Sequence, residues 1–143
     1  MKCKFLTVIF LLAFMGCTTV GNIKNVPLES GTEQIFDAKI EDVLQYAKDS
    51  SVESGLKMQE FNQLSPEMWM IVADKGLEYG YGVSSYGAVV RLVVKKINDS
   101  KTSVRVYSKK RSSAELFTKG DYTHSILSSI DFKIKMKQSV KAT

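Results

Sequence analysis

Residues 88–97, with the sequence AVVRLVVKKI, constrain the fold more than any other part of the chain. They are rich in β-branched side chains, which favour a strand over a helix. Residues 98–101 (NDSK) are typical of a turn, and residues 103–109 alternate, with Val104 and Val106 on one face. The two segments therefore predict an antiparallel β-hairpin.

A first amphipathic helix is predicted to begin near residue 40. Its apolar residues recur at the i, i+3, i+4 and i+7 spacing of one helix face: Ile40, Val43, Leu44 and Ala47. Glu41 and Asp42 would lie in its first turn, where negative charge is favourable to the helix dipole. Gly55 is a suitable end for this helix.

The C-terminal region allows two interpretations. Apolar residues recur at every fourth position, as in a helix: Tyr122, Ile126, Ile130 and Ile134. Within residues 132–137, however, apolar residues alternate with lysines, as in a strand. We favour a helix that has Asp121 as its N-cap and continues to about Lys135.

Three shorter segments complete the predicted elements. Residues 35–38, 56–61 and 68–73 are strand candidates, whereas the glycine- and tyrosine-rich residues 76–87 support no assignment. The order strand, helix, several strands, helix predicts an α+β fold with two layers. We expect an antiparallel sheet of about four to five strands packed by two helices, in a β-α-β-β-β-α-like order.

The N-terminus has the features of an export signal. Lys2 and Lys4 precede an apolar stretch, residues 5–15, in which Thr7 is the one polar residue. As a helix this stretch would extend roughly 16 Å, about half of the ~30 Å that a membrane-spanning helix must cross. We therefore expect a signal peptide that is removed, and no transmembrane segment in the mature protein.

The apolar stretch is followed by Gly16 and Cys17. A small residue directly before a cysteine resembles the lipobox of bacterial lipoproteins. The resemblance implies that the Cys17 sulfur receives a diacylglycerol thioether, that a peptidase cuts between Gly16 and Cys17, and that the new amine is acylated. A thiolate is the nucleophile that the first step requires. The alternative is that Cys17 only closes the apolar stretch and that cleavage occurs elsewhere, such as after Gly21.

The resemblance also implies a location in the cell envelope, attached to a membrane through the lipid. Thr18, rather than aspartate, follows the cysteine, which resembles outer-membrane lipoproteins facing the periplasm if the source is Gram-negative. Residues 1–16 would then be the signal peptide, residues 17–33 the lipidated cysteine with a flexible tether, and residues 34–143 one globular domain. The tether is inferred because residues 18–32 are rich in Thr, Asn, Ser and Gly and lack sustained periodicity.

Charge and cysteine content exclude several classes of function. Removing residues 1–16 takes away Lys2 and Lys4, leaving 18 basic and 15 acidic residues, so the formal net charge falls from +5 to +3. Nucleic-acid binding is not expected, since it favours a concentrated basic patch. Cys3 is also removed, and lipidation of Cys17 leaves no thiol for a disulfide, a thiolate metal site or a cysteine nucleophile. We expect no cofactor.

Candidate catalytic residues are few. Ser54 and Lys57 fit the S-x-x-K motif of β-lactamases and penicillin-binding proteins, but serine and lysine are so abundant here that we interpret the match as chance. His124 is the only histidine, so any Ser-His-Asp triad would have to include it, and we expect it to be solvated. The spacing of the carboxylates predicts no calcium loop. We therefore expect a protein that is not an enzyme, with a small hydrolase as the least favoured hypothesis.

Tyr79, Tyr81 and Tyr86 form the candidate interaction surface. Tyrosine is enriched in recognition surfaces, although glycine and tyrosine at these positions also fit a turn or a bulged strand. The lysine pairs at 95–96 and 109–110 would either be solvated or attract anionic lipid headgroups. We expect a membrane-anchored, non-catalytic binding module or, alternatively, a structural or assembly subunit of an envelope protein complex.

Overall fold

The computed structural model describes residues 18–76, 78–80, 83–85, 87–112 and 121–141, with backbone alone for residues 78–80 and 83–85. In this part of the chain the helices are α1 (Val20–Lys24), α2 (Ile40–Glu53) and α3 (Thr123–Lys141). The strands are β1 (Thr32–Phe36), β2 (Lys57–Ser65), β3 (Met68–Lys75), β4 (Glu78–Gly80), β5 (Val83–Ser85), β6 (Ala88–Asn98) and β7 (Lys101–Lys110).

Five of the strands form one open antiparallel sheet in the order β1-β7-β6-β3-β2, and β4 pairs with β5 separately. The helices α2 and α3 cover one face of the large sheet, which we call the inner face. The predicted α+β fold is therefore confirmed. The predicted hairpin is also confirmed as β6 and β7, in which Leu92 faces Val106 and Val94 faces Val104.

Strand β6 is buried on both of its faces. Its inner face carries Val90, Leu92 and Val94, which pack in the main hydrophobic core under α2 and α3. Its outer face carries Val89 and Arg91, and both of these side chains are fully buried as well. A valine side chain that is fully buried contributes about 1.5–3 kcal/mol. Burial on two faces means that a second layer must cover the outer face of the sheet.

Helix α2 is confirmed where the apolar periodicity predicts it. Ile40, Val43 and Ala47 are buried against the sheet, and the helix ends two residues before Gly55. Gly55 has a φ of 77°, a left-handed conformation that glycine adopts without steric cost. This conformation redirects the chain from α2 into β2.

The C-terminal region is a helix, α3, and the alternative of a strand over residues 132–137 is wrong. The residues predicted to face the core are buried: Tyr122, Ile126, Ile130 and Ile134. Asp121 accepts a hydrogen bond from the Thr123 backbone N–H at 2.9 Å, so it does contribute to the start of the helix. The helix continues beyond Lys135 to Lys141.

The prediction of a flexible tether before the domain is wrong for residues 18–33. These residues contain helix α1 and the start of β1, and they lie against the outer face of the sheet. Ile23 is fully buried there among Met70, Val72 and Val89. The polar composition of the segment was misleading because its stability comes from this contact with the sheet and not from its own periodicity.

Candidate membrane anchor and interaction surfaces

Most of the residues that the sequence predicts for function lie outside the described part of the chain. This applies to the signal peptide, to Cys17, to Tyr81 and to Tyr86. Tyr79 lies in β4, of which the backbone alone is described. The predicted lipid attachment and the predicted tyrosine surface therefore stay predictions.

The predicted catalytic candidates lie at the ends of helices and strands. His124 is exposed in the first turn of α3, and its Nε2 lies 3.4 Å from the Oγ of Ser128 on the same helix. Ser128 donates a hydrogen bond to the backbone carbonyl of His124 at 2.6 Å. Ser54 caps α2, and the exposed Lys57 begins β2. Within the described residues no cluster of three or more His, Cys, Asp or Glu side chains could hold a metal ion.

Arg91 holds the N-terminal segment on the outer face of the sheet. Its guanidinium donates hydrogen bonds to the backbone carbonyls of Ile23 at 3.2 Å, of Val26 and of Pro27 at 2.8 Å. It also lies over the ring of Tyr107, at 5.7 Å from the centroid. Burial lowers the pKa of Arg91, but an arginine stays protonated in proteins, so its hydrogen bonds are charge-assisted.

Two further contacts hold the same segment. Arg105 donates to the backbone carbonyl of Glu29 and, at 2.5 Å, to the carboxylate of Glu33. The Nζ of Lys24 donates to both carboxylate oxygens of Glu60, at 2.7 and 2.9 Å. The hydrogen bond from Lys24 lowers the pKa of Glu60 below its ordinary value. We call Arg91, Arg105 and the Lys24–Glu60 pair, together with the segment that they hold, the N-terminal clamp.

The first described residue is attached to one end of the sheet. The Thr18 backbone N–H donates to the carbonyl of Arg111 at 2.9 Å, and the Arg111 N–H donates to the carbonyl of Gly87 at 3.0 Å. The guanidinium of Arg111 also pairs with the buried carboxylate of Asp74, which accepts a second hydrogen bond from Gln59 at 2.6 Å. We call this end of the sheet the Arg111 end.

The turns β2–β3 and β6–β7 lie at the opposite end of the sheet, where the Lys96 N–H donates to the carbonyl of Glu67 at 2.8 Å. We call it the Asp99 end. The two lysine pairs considered in the sequence belong to different ends, because Lys95 faces Ser103 whereas Lys110 faces Ala88. They therefore do not form one basic patch.

An apolar stripe remains exposed on α3. Phe132, Met136 and Val140, which recur at every fourth position, are 64%, 50% and 73% exposed. They border a shallow groove of about 550 Å³ beside α2, with Tyr46 on its other side. We call these three residues the α3 stripe. Contiguous apolar exposure of this kind is typical of an interaction surface.

Ion pairs between α2 and α3 flank the stripe. Lys133 binds Glu53 at 2.5 Å, and Lys137 binds Asp42 at 2.6 Å. The hydrogen bond from Lys133 lowers the pKa of Glu53, and the hydrogen bond to Asp42 raises the pKa of Lys137. These pairs join α2 to α3 beside the stripe.

A smaller cavity of about 210 Å³ lies next to the C-terminal half of α3, with Asp37, Ile134 and Gln138 in its wall. Its volume is below the ~300 Å³ at which pockets for drug-sized ligands begin.

Comparison with known proteins identifies no family, since the chain matches no protein-family model and no curated protein. No helix in the described ranges has both the length and the apolar character needed to cross a bilayer.

Proposed function

We propose that the protein is a lipid-anchored protein of the bacterial envelope, whose α+β domain is a non-catalytic binding module. The observation that carries this proposal is the export signal followed by Gly16 and Cys17. Thr18 is buried and its N–H is bound to the carbonyl of Arg111, so a lipid on Cys17 would be attached one residue before a residue that is packed in the domain.

A lipid on Cys17 would give durable attachment. Each buried methylene contributes about 0.8 kcal/mol, and stable anchoring requires more than one acyl chain. A diacylglycerol on the sulfur and a third acyl group on the amine meet this requirement. The charged side chains of the N-terminal clamp then have a structural purpose, because they connect the anchored residue to the sheet.

The proposal is tested by Cys17→Ala in a bacterial host that processes lipoproteins, with membrane fractionation and intact mass. Cys3→Ala is the matched control, since Cys3 is the only other cysteine and lies within the signal. We expect the unaltered protein and Cys3→Ala to sediment with membranes and to carry acyl mass. We expect Cys17→Ala to lose both properties. The lipid anchor is refuted if the unaltered protein carries no acyl mass, whether it is cleaved at another position or not cleaved at all.

A second candidate function is a structural or assembly subunit of an envelope complex, and the α3 stripe favours it. Phe132 and Met136 are large apolar side chains that stay exposed on a helix whose other face is buried. Covering them with a protein partner would remove this apolar area from water. Large hydrophobic side chains of this type, Phe and Met, are enriched at protein interfaces.

This second candidate is tested by crosslinking in cells. A photoreactive amino acid at position 136 is compared with the same amino acid at position 62, because Asn62 is exposed on β2, away from the stripe. A single protein crosslinked from position 136 and not from position 62, and lost in Phe132→Ser, supports the assembly role. Equal crosslinking from both positions argues against it.

A further inference from the structure

We propose that two copies of the chain pair edge to edge through β2, as antiparallel strands around a two-fold axis at Phe61. The interaction surface is the side of β2 that faces away from β3, which we call the β2 edge, and its partner is the β2 edge of a second copy. The inference goes beyond the proposed function and does not depend on a lipid at Cys17.

Strand β2 is the last strand of the large sheet. In the described part of the chain it pairs with β3 alone, so the backbone N–H and C=O groups of the β2 edge are bound to no described strand. Many sheets protect such an edge with a short strand, a proline or several charges. Strand β2 has nine residues, no proline and two charged side chains, Lys57 and Glu60. The β2 edge therefore suits pairing with a further strand.

The pairing of β2 with β3 is symmetric about Phe61. Three paired residues precede Phe61 and three follow it, so the seven are Lys57, Met58, Glu60, Phe61, Asn62, Gln63 and Ser65. One β-bulge interrupts each half, between Met58 and Glu60 and between Gln63 and Ser65. A two-fold interface brings the same surface of two copies together. An axis at Phe61 therefore places all seven positions of one copy opposite the seven of the other.

Phe61 would face its own copy across this axis. It is 41% exposed, although the Nζ of Lys48 lies 3.7 Å from the centroid of its ring. Contact between the two rings would remove apolar area from water, and aromatic cross-strand pairs stabilise antiparallel sheets. The residue that most needs a cover on β2 thus lies where the second copy provides one.

Charge and overlap favour the axis at Phe61 over an axis at either neighbour. An axis at Glu60 would place its carboxylate opposite the same carboxylate of the second copy, which is unfavourable. An axis at Asn62 would place Phe61 opposite Gln63 and would leave fewer of the seven positions paired. With the axis at Phe61, Glu60 faces the neutral Asn62 of the second copy.

Pairing through the β2 edge leaves the other surfaces of the domain accessible. Helix α3 packs on β7 and β1, at the far side of the sheet from β2, so the α3 stripe stays uncovered. An axis perpendicular to the sheet puts the outer faces of both copies, which carry the N-terminal segments, on one side of the dimer. Such a dimer is therefore compatible with two lipid anchors in one membrane.

Disulfide crosslinking of the full chain tests the position of the axis. Phe61→Cys would place two thiols opposite each other, with Cβ atoms about 4.5–5.5 Å apart, within small adjustments of disulfide geometry. Gln63→Cys is the matched control, because its two thiols would lie four positions apart, roughly 13 Å. The unaltered protein gives the background from Cys3 and Cys17. After mild oxidation we expect at least about fivefold more linked dimer from position 61 than from position 63.

Coexpression of Lys57→Cys with Ser65→Cys tests the register. These exposed positions lie at the two ends of β2 and would face each other in the dimer. We expect a linked dimer when both variants are made in one cell. Either variant alone should give little, because its two thiols would lie about six positions, or roughly 20 Å, apart. Equal linking by one variant alone would contradict the register.

Sedimentation of the full chain in detergent, over a range of protein concentrations, tests the dimer without a crosslink. Phe61→Glu would set two carboxylates against each other at the axis, so we expect dimerisation to weaken at least about tenfold. Ile35→Glu is the matched control, because it adds the same charge at an exposed position of β1, the opposite edge of the sheet. This control should dimerise like the unaltered chain, and thermal unfolding should show that both variants are folded.

Four results would overturn the proposal. A chain that is monomeric at every concentration does not pair with a second copy. Equal crosslinking from positions 61 and 63 excludes an axis at Phe61. A dimer that is lost in Ile35→Glu and kept in Phe61→Glu uses β1 instead of β2. A disulfide from position 61 to a different protein, without linked dimer, shows that the β2 edge binds another partner.

Discussion

Replacement of Arg91 by methionine is the sharpest test of the N-terminal clamp. Methionine keeps an unbranched apolar stem in the buried position but removes the guanidinium, which donates to the carbonyls of Ile23, Val26 and Pro27. Those three carbonyls then lose their donor. Because buried carbonyls without a partner are costly, we expect residues 18–31 to leave the sheet and become hydrated.

The magnitude follows from the contacts. A hydrogen bond to a charged group contributes about 1.5–3 kcal/mol, so three of them contribute about 4.5–9 kcal/mol before the cost of burying the ion. That burial offsets several kcal/mol. We therefore expect Arg91→Met to lower the free energy of unfolding by about 2–4 kcal/mol. Arg105→Met is the control, because Arg105 is partly exposed and holds a single backbone carbonyl of the segment, so its loss should be about 1 kcal/mol.

The assay combines urea unfolding of the chain expressed from Thr18 with limited trypsin digestion. Lys24 lies inside the clamped segment and reports its detachment, since trypsin cuts after lysine when the backbone is free. We expect rapid cleavage after Lys24 in Arg91→Met and slow cleavage in the unaltered chain and in Arg105→Met. A change in unfolding free energy below about 0.5 kcal/mol, the range of a neutral surface substitution, with Lys24 still protected would show that Arg91 does not hold the segment.

Three further outcomes are expected from the same structure. Gly87→Ala should destabilise the protein by more than about 1–2 kcal/mol, because Gly87 has a φ of 74° and an added Cβ would lie 1.7 Å from a backbone oxygen. Gly76→Ala is the control, since there is open space around Gly76, and thermal unfolding should show little change in its stability. Urea unfolding should show that Ile130→Ala lowers the free energy of unfolding by about 2–5 kcal/mol, because Ile130 is buried. Phe132→Ala, on the exposed face of the same helix, should lower it by less than about 0.5 kcal/mol. Equal losses in the two variants would contradict the assigned faces of α3. The pKa of Glu60 is lowered in the folded state, so the unfolded state binds the proton of this carboxyl group more readily. The contribution of Glu60 to the free energy of unfolding is therefore present above the unfolded pKa near 4.5 and is lost as the pH falls through the folded pKa. In an unfolding series below pH 5, Glu60→Gln should lose less unfolding free energy on acidification than the unaltered chain.

The regular elements of the domain could be predicted because their apolar periods are local. The four-residue spacing from Tyr122 to Ile134 describes a helix face, and this face is buried in α3. The competing alternation over residues 132–137 failed because Phe132 and Met136 stay exposed while Ile134 is buried. A strand would have buried all three on one face. The helix period was supported by more residues, and it was correct.

The contacts of Arg91 on the outer face were missed, although β6 carried a signal for them. A strand with one solvated face alternates, as β7 does, whereas residues 88–94 of β6 are almost all apolar. That pattern indicates a strand covered on both faces, and the single arginine within it indicates a buried polar partner. Neither observation identifies the segment that packs on the outer face, because the residue pattern of a strand shows which of its faces are buried and not what buries them.

The sequence by itself determined the hairpin, the two long helices and the α+β class, and it predicts a lipidated cysteine, which stays a prediction. Only the tertiary structure decided that the polar segment after that cysteine is folded. The physical reason is the range of the interactions. Arg91 binds the carbonyl of Ile23 across 68 positions in the chain, and backbone carbonyls are present in every residue, so no local composition reveals which of them a distant guanidinium will select.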